Sequence, residues 1–238
     1  MAKIKHMLKE FLKNDVFENV VAYIYVIKFQ KRSLPHMHLL LTLDEKSKIR
    51  NKDDIDTIVS AEIPNEEDEP ELYHIVQSHM IHGPCGVLNK NSPCMSDNKC
   101  AKKYPKEFKN ETHENINGYP LYKRPNNNAK MYILWKNGTV KYTIDNRWIV
   151  PYNPYLLKKY RTHINIEICA SVKSIKYICD YLCKGHDCAS IKLGQADKSK
   201  TVHWDEINGY LDARYVSAPE CCWRLLEYLL HDKSHAIF

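Results

Sequence analysis

The sequence has no apolar run close to the roughly 20 residues that cross a membrane as a helix, so no membrane-spanning segment is predicted. It also lacks the pattern of a secretory leader, because lysines interrupt the apolar residues of its first 18 positions. Those apolar positions follow helical spacing and predict an amphipathic helix packed on the core. Without a leader, the nine cysteines are expected to be reduced or metal-bound, and a disulfide framework is not expected.

Two further absences narrow the class of protein. No internal repeat is present, and no G-x-x-x-x-G-K-[ST] motif marks a phosphate-binding loop. The 238 residues, 44% of them hydrophobic, are enough for one sizeable core with a subdomain. The net charge is +6, and residues 62–71 hold much of the acid, so the remainder suits a polyanionic partner. Charge alone favours the simpler interpretation of an ordinary solvated surface.

Hydrophobic patterning predicts a mixture of antiparallel strands and helices. Residues 19–30 and 36–43 are rich in β-branched and aromatic side chains, and the short connection "KRSLP" predicts a hairpin. A second hairpin is predicted over 131–145, with Asn137 and Gly138 in its turn, and a further strand over 163–170. Helices are expected at 74–82, 171–185 and 218–231.

Two histidines stand two positions apart at the start of the second strand, in "HMHLLLTL". A period of two places His36 and His38 on one face, and a five-residue hairpin loop puts Gln30 opposite His36 and Lys28 opposite His38. Two imidazoles and the Gln30 amide oxygen form a three-ligand metal site for Mn²⁺ or Mg²⁺, which could also hold zinc. The alternative is a pair of ordinary strand histidines.

Two tyrosines follow on the helix predicted over 171–185. Tyr177 and Tyr181 are four residues apart and lie on one side of that helix, together with Lys184. A separate apolar stripe can face the sheet, so the phenols are not needed for packing. A tyrosine hydroxyl can attack a phosphodiester when a metal polarises the phosphate, and two tyrosines permit two successive transfers. Partly buried aromatic residues are the alternative in a chain with 16 tyrosines.

A Cys-rich insert spans residues 74–130. The sequence "HGPCGVLNKNSPCMSDNKC" places one histidine and three cysteines within 19 residues, and these predict a tetrahedral structural zinc: His82, Cys85, Cys94 and Cys100. A loop this long and polar buries little apolar surface, so a metal is needed to hold it together. The spacing is not a standard finger pattern, which leaves free cysteines in a flexible loop as the alternative. His79 is an alternative nitrogen ligand.

The chain resembles the Helitron replication-initiator domain, which belongs to rolling-circle transposases of the HUH endonuclease superfamily. The resemblance runs from about residue 15 to 230 and lies in "FQKRSLPHMHLLL", "HGPCG", "NSPCM", "DNRWIVPYNPYLL", "INIEICASVKSIKYICDYLCKGHD" and "YVSAPECCWRL". It implies a single HUH nuclease-like domain over 1–238, of α+β class. In that fold a central antiparallel sheet carries the histidine pair, and flanking helices include one that brings the tyrosines over it.

The resemblance also implies a reaction and its residues. A tyrosine nicks single-stranded DNA, forms a 5′-phosphotyrosine link and transfers the strand, with Mg²⁺ or Mn²⁺ as the cofactor. His36 and His38 correspond to metal ligands, and Tyr177 and Tyr181 to the nucleophiles. Lys184 is expected to stabilise charge on the phosphate, and Gln30 remains the third ligand from the hairpin register. A nuclear location is implied by the family alone.

Three departures from the family pattern favour an alternative function. Helitron proteins typically have an acidic residue where Lys28 stands, and they have another strand before residue 19. They also continue into a helicase domain, normally in the same polypeptide, which is absent here. The chain is therefore either an active nuclease or a catalytically impaired transposon-derived fragment that binds single-stranded DNA. A zinc-stabilised interaction module is a third hypothesis, although it leaves the histidine and tyrosine pairs unexplained.

Overall fold

A computed structural model shows helices and antiparallel strands in two compact units. The first unit comprises Met1–Lys48 and Tyr177–Phe238, and the second comprises Ile49–Lys176. The residues that the structure describes are 2–13, 16–17, 19–29, 34–49, 51–115, 119–135, 140–169 and 216–235. None of the helices among them is long and apolar enough to cross a membrane. The expectation of a mixed fold with antiparallel sheets is confirmed.

The helices and strands alternate irregularly along the chain. In chain order they are α1 (Ala2–Lys13), β1 (Val20–Phe29), β2 (Pro35–Leu43), α2 (Lys52–Ile58), α3 (Pro70–His79), β3 (Met95–Ser96), β4 (Lys99–Cys100), β5 (Met131–Trp135), β6 (Val140–Ile144), a 3₁₀ turn (Asn146–Trp148), α4 (Pro154–Tyr160), α5 (Ala218–Leu225) and β7 (His231–Lys233).

The first unit contains an antiparallel sheet with the strand order β2-β1-β7. Alternate side chains of β1 point to opposite faces, and Tyr25 and Ile27 are buried on one of them. On α5, the Trp223 ring meets Phe29 edge-on, with 5.8 Å between ring centroids. Tyr23 on the same face donates a hydrogen bond from its hydroxyl to Asp232 of β7 at 3.1 Å. The other face of β1 is half-buried.

The predicted register of the first hairpin was wrong by two residues. The structure pairs Lys28 with His36 and Val26 with His38, and the strands already meet at Phe29 and Pro35. A proline is tolerated at the first residue of a strand, where its missing N–H is not needed. Five residues again separate the paired positions Phe29 and Pro35, so loop length does not distinguish the two registers. A register shift of two residues leaves every side chain on the same face of the sheet. The prediction that Lys28, His36 and His38 share one face is therefore confirmed.

The core of the second unit lies between α3, α4 and the β5–β6 hairpin. Leu72, Val76 and Met80 pack with Met131 and Leu157, and all five side chains are almost fully buried. A smaller cluster joins α2 to the chain around Tyr122. Both short helices begin at an asparagine whose side chain accepts a hydrogen bond from the first turn: Asn51 for α2 and Asn153 for α4.

Two buried polar side chains connect the loops around this core. The Arg124 guanidinium donates to the carbonyl oxygens of Asn146 at 2.5 Å and Ile149 at 2.7 Å. The Asn146 side chain accepts from the Ile63 N–H at 2.7 Å and donates to the Pro125 carbonyl at 2.8 Å. Buried polar groups need hydrogen-bond partners. This network supplies them for loops whose backbones are not hydrogen-bonded in a sheet, and so it fixes the positions of these loops.

Other predicted elements have mixed outcomes. The hairpin over 131–145 is confirmed, with Met131 opposite Ile144. The helix predicted at 74–82 instead runs from Pro70 to His79, and the last helix ends at Leu225 rather than at 231. The strand predicted from 163 is wrong over residues 163–169, where the backbone has non-ladder partners: Ile166 N–H donates to the Pro151 carbonyl and Ile168 N–H to the Tyr122 hydroxyl. The helix predicted at 171–185 lies outside the described residues.

Replacing Asn146 with alanine should destabilise the second unit. The change leaves the buried Ile63 N–H and Pro125 carbonyl without partners. A loss of about 2–3 kcal/mol in the free energy of unfolding is expected from such orphaned groups. Urea denaturation followed by tryptophan fluorescence measures it, with Asn110→Ala at an exposed position as the control. Equal midpoints for Asn146→Ala and Asn110→Ala would show that the network is not stabilising.

Candidate metal centre

Four ligand atoms of the Cys-rich insert lie together in the second unit. One nitrogen of His82 and the sulfurs of Cys85, Cys94 and Cys100 are all within 4.8 Å of one another. The Cys100 sulfur lies 3.4 Å from the His82 Nε2. In a tetrahedral zinc site, bond lengths of about 2.3 Å to sulfur and 2.0–2.1 Å to nitrogen separate ligand atoms by about 3.5–3.8 Å. These four residues could therefore hold a metal such as zinc with little rearrangement. Among the described residues they form the one such cluster of three or more His, Cys, Asp or Glu side chains.

A tight hairpin brings two of the cysteines together. The two-residue strands β3 and β4 pair Met95 with Cys100, and the Ala101 N–H donates to the Cys94 carbonyl at 2.8 Å. The turn residues Asp97 and Asn98 have φ angles of 50° and 61°. Positive φ angles at two successive residues define the type I′ turn, whose twist matches that of the two strands it joins. Asp and Asn tolerate this left-handed conformation. The five-residue spacing between Cys94 and Cys100 is thus the length that this hairpin requires.

The other two ligands are attached to the core of the second unit. The His82 N–H donates to the Trp148 carbonyl at 2.9 Å, just after α3. Its imidazole stacks on the Tyr104 ring with 4.1 Å between centroids. Cys85 is buried, with 2% of its surface exposed. Arg124, which holds the core loops, also interacts electrostatically with the Tyr104 side chain, so the metal centre and the polar network meet at one aromatic ring.

The electrostatic environment lowers the pKa of His82 and shifts the pKa values of Cys85 and Cys100 in opposite directions. Burial, followed by the positive charges of Lys106 and Lys102, lowers the pKa of His82, which keeps the imidazole neutral and able to ligate. Burial and hydrogen bonds to Cys100 and Cys94 raise the pKa of Cys85 to about 12. Burial also pushes the pKa of Cys100 upward, but the backbone N–H groups of Tyr104 and Lys102 outweigh it and lower that pKa. A bound cation would deprotonate the thiols outright.

The alternative ligand His79 is not part of the cluster. It is the last residue of α3, and its carbonyl oxygen lies 2.7 Å from the His163 ring nitrogen. The cluster uses His82 because this residue lies beyond the end of the helix, next to the cysteine loop.

The histidine pair is in the first unit, on β2. His36 and His38 are half-buried on the face of the sheet opposite to Tyr25 and Ile27, and Lys28 lies directly across from His36. The remaining residues of the predicted nuclease site lie outside the described part of the chain: Gln30, Tyr177, Tyr181 and Lys184.

A third histidine on this sheet face had no signal in the sequence. His231 of β7 pairs with Val26, which also pairs with His38 on its other side. Directly opposed residues share a face, so His38, Val26 and His231 form a row across the three strands. Nearly 200 residues separate the two histidines in sequence, and only the pairing of β7 with β1 brings them onto one face.

A comparison with known families finds a match at the N-terminal end of the first unit. The family model of the Helitron helicase-like domain at the N-terminus matches residues 1–41. This segment contains α1, β1 and both histidines of the pair, and the match links the chain to Helitron proteins over that length. A search of curated proteins found no match.

Replacing Cys85 with serine should remove the metal from the second unit. We expect about one zinc per chain in the purified wild type, and a large loss of zinc and a lower melting temperature in Cys85→Ser, because three ligands bind zinc much more weakly than four. Elemental analysis and thermal unfolding measure the two effects. Cys222→Ser, at an exposed position of α5, is the matched control and should keep the metal. Equal zinc contents in the two variants would exclude this centre.

Proposed function

We propose that the chain is a Helitron-related, metal-dependent endonuclease that nicks single-stranded DNA and transfers the cut strand. One observation carries the proposal: within the segment similar to the Helitron domain, His36 and His38 share one face of an antiparallel sheet. Two imidazoles side by side on a rigid sheet are suited to holding one divalent cation. The proposal includes a nuclear location, where such an enzyme would meet its DNA.

The reaction requires a tyrosine on the helix predicted over 171–185. The Tyr177 or Tyr181 oxygen attacks the scissile phosphorus, a P–O bond to tyrosine forms, and the bond to the 3′ oxygen breaks. The leaving oxygen takes a proton and becomes a free 3′-hydroxyl. A cation such as Mg²⁺ or Mn²⁺ held by His36 and His38 would polarise the phosphate. Lys184 would balance the charge that develops on it. Gln30 stays a proposed third donor, but the observed pairing puts Lys28 and not Gln30 opposite His36.

The metal centre of the second unit has a different role in this proposal. Four protein ligands fill a tetrahedral zinc shell and leave no open position for a substrate or a water. We therefore assign the His82–Cys100 cluster a structural zinc, which holds the insert, and place the chemistry in the first unit.

A second candidate function is supported by Lys28. Its side chain shares a face with His36, directly across the strand pair, where Helitron proteins typically carry an acid. A positive charge beside a metal site opposes cation binding. A fragment with this change could bind single-stranded DNA through its basic surface and fail to cut it.

A labelled oligonucleotide distinguishes the two functions. With Mn²⁺ and a 3′-labelled single strand, the active enzyme should form a denaturation-resistant protein–DNA adduct, since the 5′-phosphate side stays on tyrosine. The same strand labelled at its 5′ end should be shortened and released. Tyr177→Phe combined with Tyr181→Phe, and His36→Ala combined with His38→Ala, should each reduce adduct by at least about a hundredfold.

The control for the adduct assay is Tyr155→Phe, because Tyr155 is an exposed tyrosine of α4 in the second unit. It should form adduct like the wild type. Tight binding of the oligonucleotide by the wild type without any adduct would assign the second function instead.

Replacing Lys28 with glutamate should strengthen metal binding in the first unit. The change swaps a repulsive charge for an attractive one across from His36, and an effect of about tenfold or more on the Mn²⁺ dissociation constant is expected. Paramagnetic titration of the zinc-loaded protein with Mn²⁺ measures this dissociation constant. The value for Lys28→Gln should lie between those of the wild type and Lys28→Glu. Lys46→Glu makes the same change in net charge on an exposed turn after β2. If Lys28→Glu and Lys46→Glu bind Mn²⁺ alike, the cation is not held on this face.

A further inference from the structure

The loop between the first two cysteine ligands holds apolar side chains in solvent. Val87 is 93% exposed and Leu88 is 43% exposed, immediately after Cys85 and Gly86. The chain cannot turn them inward, because Cys85 is buried beside Cys94 and Cys100 and fixes the start of the loop. The metal centre therefore presents an apolar projection whose position is set by its ligands.

A small cavity lies beside this projection. Its volume is about 230 Å³, and its lining residues are Gly86, Val87, Lys90, Met95 and Asn98. Gly86 has a φ angle of 69°, its N–H lies 3.2 Å from the Met95 sulfur, and no atom stands within 4 Å of where a side chain would begin. The absence of a side chain at Gly86 keeps the cavity open. This volume is below the roughly 300–1,000 Å³ of typical small-molecule sites, so it suits a single flat group rather than a whole cofactor.

The lining chemistry matches a heteroaromatic group that is attached to an anion. The Met95 thioether packs well against aromatic rings, and Val87 adds an apolar wall. The Asn98 amide both donates and accepts hydrogen bonds, as the edge of a nucleobase requires. Lys90 contributes a cation at the rim. A nucleotide offers a group for each of these residues: a ring for Met95 and Val87, a hydrogen-bonding base edge for Asn98, and a phosphate for Lys90.

The charge of the surrounding chain favours the same ligand. Between Cys85 and Lys109 there are six lysines and two acidic residues. One of the acids, Glu107, already pairs with Lys109 at 3.6 Å. Lys99, Lys102 and Lys103 are exposed on the same short segment that carries Cys100. An excess of cations on the chain around this cavity favours a ligand that carries phosphates.

We propose that this zinc-stabilised loop binds one unpaired base of a single-stranded nucleic acid in the cavity over Gly86, with Lys90 and Lys99 on the neighbouring phosphates. The inference deepens the proposed function and rests on it for the class of substrate. Binding here needs the metal centre and not the tyrosines, so nicking and base capture can be measured separately.

The test uses the full zinc-loaded chain with Tyr177→Phe and Tyr181→Phe, in the absence of Mn²⁺, so that cutting plays no part. Fluorescence anisotropy compares a labelled dT12 strand with an abasic strand of equal length and charge. The parent chain should bind dT12 about tenfold more tightly than the abasic strand, at the lower end of base-stacking effects. Adding Val87→Ser and Lys90→Ala should weaken binding of dT12 about tenfold and make the two strands equivalent.

Matched controls are Leu121→Ser and Lys46→Ala, which remove an exposed apolar side chain and an exposed cation elsewhere. They should leave the preference for dT12 intact. The same base dependence with rU12 would support the inference with RNA as the strand. Equal binding of dT12 and the abasic strand by the parent chain would overturn it, as would unchanged binding after the Val87 and Lys90 substitutions. An absence of adduct in the separate nicking assay bears only on the proposed function.

Discussion

The second unit depends on four ligand atoms that meet at the edge of its core. The chain from His82 to Cys100 contains the two-residue β3–β4 hairpin, and Cys85, Cys94, Met95 and Cys100 pack into or against the core of the second unit. One nitrogen and three sulfurs of this segment lie within 4.8 Å of one another. A metal held at this point would fix the loop further, because its bonds to the four ligands would add to those contacts. The ring of Tyr104 is stacked on His82 and interacts electrostatically with Arg124, and it links the ligands to the buried polar network.

The first unit depends on a different constraint, the pairing of β1 on both sides. Tyr25 and Ile27 of β1 are buried on one face of the sheet. Their neighbours Val26 and Lys28 point to the opposite face, and the histidines paired with them, His38, His231 and His36, lie on that face too. The match to the Helitron domain covers β1 and most of β2, and the proposed chemistry uses the face that carries His36 and His38. Under the proposed function, Lys28 would be the residue that sets how well a cation is held, because its charge lies across from His36.

Local patterns in the sequence were sufficient for several features. Segments rich in β-branched and aromatic residues, joined by short connections, predicted both hairpins, and one histidine with three cysteines in a Cys-, Pro- and Asn-rich loop predicted the cluster that could hold a metal. The Asp97–Asn98 turn was also a readable signal for the β3–β4 hairpin, and it was missed. The hairpin register was not readable, since a five-residue connection fits both pairings.

Long-range partners explain the remaining differences. Residues 163–169 have the alternation of a strand, but Ile166 and Ile168 donate to a loop carbonyl and a tyrosine hydroxyl, partners that lie far away in sequence or carry no pattern of their own. The burial of Arg124 and the position of His231 on the sheet likewise depend on chain segments brought together only by folding. Sequence therefore predicts a feature well when neighbouring residues determine it, and poorly when distant ones do.

Zinc-edge X-ray absorption on the purified chain tests the metal centre most directly. Three sulfur ligands at about 2.3 Å and one nitrogen at about 2.0–2.1 Å are expected from the cluster of His82, Cys85, Cys94 and Cys100. A zinc shell of nitrogen and oxygen alone, or protein purified from zinc-supplemented cells without any zinc, would contradict it.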